Sequence, residues 1–252
     1  MKINVIISPP NVDELYFTGK TTVIIDVLRA TTTIITALAN GAKEIVPVSS
    51  VEFAMKVSGS MFGGQTLLGG ERNTKKIDGF NLGNSPFEYN AETISGKSII
   101  LFTSNGSKAI VKSKFSEHSI ICSFQNLSAV AHYLIELNNN VEILCSGRNG
   151  LFSLEDTICA GKLVGELSSL TNESELTDSS LAALTLAKSL GKNLKKMLSE
   201  SEHGKILFEN GFEEDLKYCS KLNTIPIIPV FSSNVIKILQ HPKTEAVHIS
   251  ET

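Results

Sequence analysis

The chain has 252 residues, 42% hydrophobic and 19% charged, a composition that excludes a disordered chain and allows a sizeable buried core. With 23 basic against 26 acidic residues the formal charge is −3, so no global field draws it to nucleic acid or an anionic membrane, and any bound anion must be held locally. The opening apolar stretch is too short for a signal peptide and is cut off at Pro9-Pro10, and no apolar run approaches the roughly 20 residues that span a bilayer. A cytoplasmic protein is therefore expected. Cys122, Cys145, Cys159 and Cys219 form no Cys-x-x-Cys pair, so they predict buried, unreactive thiols in place of a zinc site or a disulfide frame.

Val5 to Ile7 reads as a first strand, with Pro9, Pro10 and Asn11 as the turn that leaves it. Val23, Ile24 and Ile25 form a β-branched run without polar alternation, which suits a strand covered on both faces, and Asp26 falls at its carboxyl end. Arg29 follows, then three threonines able to cap a helix, then Ile34, Ala37 and Leu38 at helical spacing until Asn40-Gly41 stops it. Ile45 to Val48 predicts another strand, and Val51 to Val57 a helix capped by Ser49 or Ser50. This alternation of strand and helix predicts right-handed crossovers and a parallel sheet.

From Thr66 to Pro86 the pattern becomes a long glycine-containing connection carrying Glu71, Arg72, Lys75, Lys76 and Asp78. A connection of that length without regular structure reads as an active-site loop. Ser98 to Phe102 is a predicted strand that exits through Thr103 to Ser107 into a helix. Ile120 to Cys122 is a strand leaving through Ser123 to Asn126, Ala129 to Leu137 is a helix, and Val141 to Cys145 is a strand that exits through Ser146 to Gly150. Ser153 caps a predicted helix to Leu167, with Asp156 three residues on and Cys159, Leu163 and Leu167 as its buried stripe. Ser168 to Ser180 reads as an exposed connection. Helices are predicted over Leu181 to Leu190, Leu194 to Leu198, after Ser201 to Gly204, and over Glu213 to Cys219 past an Asn210-Gly211 stop. Ile225 to Phe231, bordered by prolines, reads as a strand near a sheet edge.

The chemistry-bearing residues gather at these strand exits. Asp26, Glu71, Asp78, Glu155 and Asp156 form an oxygen-rich set that suits a hard cation such as Mg²⁺, which takes one or two carboxylates and leaves its other positions to water and substrate. Plainer roles exist for each: a turn cap for Asp26, solvated loop charges for Glu71 and Asp78, dipole-favoured first-turn acids for Glu155 and Asp156. The turns Ser104 to Ser107 and Ser146 to Gly150 offer free backbone N–H groups beside helix starts, a form of anion cradle, and neither matches a Walker or dinucleotide-binding loop. Arg29, Arg72 and Arg148 stand in such loops and could grip phosphate, sulfonate or carboxylate through paired donors. His203, beside Gly204 at a helix junction, is accounted for by a local hydrogen bond, and His118, His132, His241 and His248 look incidental. No serine sits in a Gly-x-Ser-x-Gly elbow.

Taken together, Ile25 to Thr33, Gly69-Gly70-Glu71-Arg72, Gly79 to Pro86, Thr103-Ser104-Asn105-Gly106, and Cys145 to Gly150 with Leu154-Glu155-Asp156 resemble the 2-phosphosulfolactate phosphatase family. The resemblance runs through most of the chain in order. It implies a Mg²⁺-dependent hydrolysis of 2-phospho-3-sulfolactate to sulfolactate and phosphate, a step toward coenzyme M. It further implies that Asp26, Glu71 and Asp156 are catalytic, that Asp26, Glu71, Glu155 and Asp156 are the metal-site acids, and that Arg29, Arg72 and Arg148 bind the anion. Thr31, Ser104, Asn105, Gly106 and Asn149 would complete the substrate contacts. The family's Ser-His-Gly-rich stretch is matched loosely by Ser201 to Gly204. Asp26-Val27-Leu28 lacks the second aspartate of an Asp-x-Asp phosphatase, which favours water over Asp26 as nucleophile.

The expected architecture is thus an α/β fold with a mostly parallel or mixed sheet flanked by helices in three layers, and a ligand site at the strand carboxyl ends. One domain over residues 1–252 is expected, with a division near 90–100 as the alternative. A phosphatase for a related phospho-acid without the sulfonate, and a non-catalytic binder of an anionic metabolite, are the competing functions. The expected partner is a small anionic phospho-acid, with neither nucleic acid nor membrane, and a homo-oligomer is compatible with the sequence.

Overall fold

A computed structural model describes residues 1–9, 12–61, 66–171 and 173–240. The turn expected at Pro10 and Asn11, and His241 and His248, lie outside the described residues. The central strand is β2 (Thr21–Ile25), buried at every position, as its unbroken β-branched run requires. Parallel partners flank it: β7 (His118–Cys122) on one side and β8 (Val141–Cys145) on the other. Beyond β8 lie β1 (Lys2–Ile6) and the edge strand β9 (Glu175–Leu176). Ile25 is level with both Cys122 and Cys145, so Asp26 and Ser146 leave the sheet side by side.

A second parallel block contains β3 (Glu44–Pro47), β6 (Ser98–Phe102) and β4 (Thr66–Arg72), whose end folds back as β5 (Lys75–Lys76). The hairpin of β10 (Pro229–Ser232) and β11 (Val235–Ile238) joins the blocks through Val230 opposite Ile120 and Ile236 opposite Ile45. The sheet order is β5-β4-β6-β3-β11-β10-β7-β2-β8-β1-β9, a mixed and mostly parallel sheet of 11 strands. Pairing of β6 with β3 and β4 crosses residues 90–100.

Helix α1 (Ala30–Ala39) follows β2 and is buried from Ala30 to Leu38, because residues of both blocks, such as Ile24 and Ile99, pack against it. Helix α4 (Gly106–Lys112) shares that core through Ala109 and Ile110. On the other face of the first block, α5 (Leu127–Leu137), α6 (Leu154–Leu170) and α7 (Asp178–Leu190) cover Val23, Ile25 and Ile143. Gly161 lets α6 and α7 approach closely, since a Cβ there would overlap Ala183 O. Helix α2 (Val51–Met61) covers Ile100 and Phe102 on the second block. The shorter α3 (Ala91–Ile94), α8 (Leu194–Glu200), α9 (Glu202–Glu209) and α10 (Glu213–Cys219) complete the layers. All four cysteines are buried free thiols. Among the described residues no helix is long and apolar enough to cross a membrane.

Four local expectations are corrected. The threonines do not cap α1: Asp26 Oδ1 accepts the Ala30 N–H at 3.2 Å, and Thr31, Thr32 and Thr33 are fully buried within the first turns. Residues 66–86 are not an irregular loop but β4, the β5 return and a run anchored to β4 by Leu82 N–H to Leu68 O. Gly70 made this stretch look irregular; it sits at φ +137°, against Phe102 O, where no Cβ fits. Residues 168–180 continue α6 and then form β9, so they are not simply an exposed connection. The strand near residues 225–231 is interior, because its prolines Pro226 and Pro229 precede or open β10 while β11 and β7 flank it.

Candidate active site

Both blocks deliver their strand exits to one cleft, lined by Asp26 and Arg29 after β2, Glu71 and Thr74 at the β4 hairpin, Ser104 and Asn105 after β6, Asn149 after β8, and His203. Asp26 is held by its neighbours: Thr31 Oγ1 donates to Asp26 O at 2.8 Å, and Ala30 N–H reaches the carboxylate. Gly106 lies against Asp26, where a Cβ would overlap Oδ2. Burial pushes the Asp26 carboxyl up to about 6, opposed by nearby His203 and assisted by the charge of Glu71.

Glu71 ends β4 with both oxygens engaged. Oε1 accepts Ser104 N–H at 2.8 Å and Oε2 accepts Thr74 N–H at 2.8 Å, so one carboxylate shapes two loops. The hairpin tip turns through Asn73 and Thr74, both at positive φ. Asn149 N–H donates to Asn105 Oδ1 at 3.0 Å, joining the β8 and β6 exits across the cleft.

Ser201 caps α9, accepting Gly204 N–H at 3.0 Å, and that first turn carries His203 into the cleft. His203 Nδ1 lies 3.5 Å from the buried Glu155 Oε1. Burial acts to raise the Glu155 carboxyl, but the His203 contact prevails and holds it below its usual range. Asp156 lies behind this pair with its oxygens committed to Val27 N–H at 2.8 Å, Ser146 Oγ at 3.1 Å and Gly147 N–H at 3.2 Å. Burial, with Asp26 and Glu155 nearby, pushes the Asp156 carboxyl well up.

The arginines divide. Arg29 is buried, bonded to Asp215 Oδ2 at 2.6 Å and Thr74 O at 3.1 Å, with its guanidinium 4.1 Å from the Phe212 ring centroid. Arg148 lines the cleft less deeply and is paired with the exposed Glu202. Arg72 is exposed and is absent from the cleft lining, as is Asp78. The structure therefore brings together Asp26, Arg29, Glu71, Ser104, Asn105, Arg148 and Asn149, sets Thr31 and Gly106 directly behind Asp26, and places Glu155 and Asp156 in the supporting layer. Thr74, Asn84 and His203 line the cleft although none was expected as a site residue, and the break expected at Ser201 to Gly204 is instead the Ser201-capped first turn of α9, which carries His203.

Among the described residues neither Asp26 nor Glu71 is paired with a cationic side chain, while Arg29 pairs with Asp215, Arg148 with Glu202 and His203 with Glu155. Two neighbouring carboxylates without a cation suit a hard divalent ion that completes its shell with water and phosphate oxygens. Among the described residues no group of three or more His, Cys, Asp or Glu is placed to hold a metal ion.

The 2-phosphosulpholactate phosphatase family model matches residues 7–234. A relative from Clostridium perfringens strain 13 is 41% identical over 242 residues, covering 95% of this chain and 97% of its own. One from Clostridium acetobutylicum is 39% identical, covering 94% of this chain and all of the relative, and one from Thermotoga maritima is 41% identical, covering 88% and 94%. Each is named a probable 2-phosphosulfolactate phosphatase. A match of this extent, over a chain whose strand exits converge on one acidic cleft, means that the protein belongs to the 2-phosphosulpholactate phosphatase family.

Proposed function

We propose that the chain is a cytoplasmic, Mg²⁺-dependent phosphatase that hydrolyses 2-phospho-3-sulfolactate to 3-sulfolactate and phosphate. The observation that carries this reading is the pair of buried carboxylates, Asp26 and Glu71, that share a donor-lined cleft without a cation of their own. The names of the relatives supply the substrate. Asp26 and Glu71 would hold Mg²⁺, which when bound offsets charge on the phosphate oxygens. Glu155 and Asp156 support these groups from behind.

The chain's own residues then divide the work. Donors of the Ser104–Asn105 and Asn149 turns orient the phosphate, and Arg148, released from Glu202, adds a cation at the rim. Water attacks phosphorus as the phosphorus bond to the substrate's C2 oxygen breaks. That alkoxide needs a proton, and His203 is the donor: Glu155 holds Nδ1, leaving Nε2 as the free ring nitrogen. One proton of the water stays on the released phosphate, and the other restores the proton that His203 gives up. Water is favoured over Asp26 as nucleophile because the residues after Asp26, Val27 and Leu28, are apolar and supply no neighbouring acid. The four buried free thiols accord with a reducing compartment.

The test is phosphate release from 2-phospho-3-sulfolactate by purified protein with Mg²⁺, then with excess chelator, with phospholactate run in parallel. Release confined to the sulfonated compound and abolished by chelator is expected. Equal release from both would contradict the substrate, and binding without release would turn the reading to a metabolite-binding protein.

A further inference from the structure

The tip of the β4–β5 hairpin is an unusual turn. Asn73 and Thr74 connect Arg72 to its partner Lys75, and both have positive φ, +53° and +70°. Two-residue hairpins of this form favour glycine in the second position, where a β-branched residue such as threonine is strained. Strained backbone persists where its surroundings hold it. Here Arg29 Nη2 donates to Thr74 O at 3.1 Å, and Thr74 N–H donates to Glu71 Oε2 at 2.8 Å.

Arg29 is in turn fixed from α10. Its Nη1 donates to Asp215 Oδ2 at 2.6 Å, and Ser85 Oγ donates to the other oxygen of Asp215 at 2.7 Å. A continuous run of bonds thus leads from α10 through Arg29 and Thr74 to Glu71, whose Oε1 accepts the Ser104 N–H at 2.8 Å. A reacting group misplaced by about 1 Å can cost about 100-fold in rate, so whatever fixes Glu71 bears on catalysis.

We propose that Asp215 and Arg29 are positioning residues: they hold the strained Asn73–Thr74 turn and, through it, the Glu71 carboxylate in the cleft. Its catalytic consequence rests on the phosphatase reading. Arg29→Lys keeps a charge beside Asp215 but lacks the planar fork that bonds Asp215 and Thr74 O together. Thr74→Gly gives the turn a residue that adopts positive φ without a hold. Two quantities are measured in wild type, both single variants and the double variant: kcat for 2-phospho-3-sulfolactate with Mg²⁺, and the exchange rate of the Ser104 amide, which reports the place of Glu71. Arg29→Lys is expected to lower kcat and to speed Ser104 exchange, each about tenfold or more. In the Thr74→Gly background the same change is expected to move either quantity by less than about threefold. Unchanged Ser104 exchange in Arg29→Lys, or an equal effect in both backgrounds, would overturn the proposal and leave Arg29 as a substrate grip or a purely structural partner of Asp215. Should Arg29→Lys not fold, Ser85→Ala, which frees one oxygen of Asp215, replaces it. Ser104 exchange about threefold faster, and restored by Thr74→Gly, is then expected, and no change would overturn the proposal. If wild-type protein releases no phosphate, the phosphatase reading fails, and Ser104 exchange alone decides the positioning by the same outcomes.

Discussion

Asp26 carries a cost in the fold because its carboxylate is buried. Its carboxyl is pushed up from 3.8 to about 6 in the fold. The native state therefore binds more protons than the unfolded chain between those values, and this group's contribution makes stability fall as pH rises through that window. Asp26→Asn removes the buried charge and keeps an oxygen for the Ala30 N–H. It should abolish turnover and stabilise the metal-free protein at pH 7.5 by up to about 3 kcal/mol, a gain that vanishes near pH 4. Urea melts at both pH values check this. His203 makes a different prediction, because it is assigned the leaving-group proton. His203→Gln should lower kcat for the sulfolactate ester about 100-fold or more, and only a few-fold for an aryl phosphate whose phenolate leaves unprotonated. Equal losses on both esters would remove it from proton transfer.

At the scale of elements, the site depends on how short segments tie distant ones together. Asp215 on α10 fixes Arg29 at the start of α1 through a pair whose side chains are 2% and 4% exposed. Asp215→Ala leaves a buried guanidinium uncompensated and should destabilise the protein by about 3–5 kcal/mol, measured as a urea midpoint. Gly70→Ala should cost about 2–4 kcal/mol by the same assay, because φ +137° and Phe102 O together exclude a Cβ. Gly70 also shows where sequence reading ran out. Paired glycines in Gly69-Gly70 suggested a loop, yet they serve a strand pressed against its neighbour. By contrast β2, with Asp26 at its end, was legible because Val23, Ile24 and Ile25 allow one plain interpretation: a strand buried on both faces. The Asn40-Gly41 stop and the Ser153 cap were equally readable, being local chemistry, whereas the break read at Ser201 to Gly204 is the capped first turn of α9.

At the scale of the molecule, the antiparallel hairpin β10–β11 reverses direction between the two parallel blocks, yet both send their carboxyl ends to one cleft. Nothing local encodes that meeting. A pattern of alternating strands and helices predicts each block but not the order in which distant strands pair, so the interior place of β10 and the Arg29–Asp215 contact lay beyond sequence reasoning. Asp26 comes from one block and Glu71 from the other, so a cation held between them, as proposed, would tie the two blocks together. The direct test is phosphate release from 2-phospho-3-sulfolactate as a function of Mg²⁺ concentration, for wild-type protein and Glu71→Gln. The expected result is saturable, chelator-sensitive release whose half-saturating Mg²⁺ rises about 10- to 100-fold in the variant. Release that ignores Mg²⁺, or an identical Mg²⁺ dependence in both proteins, would contradict the account.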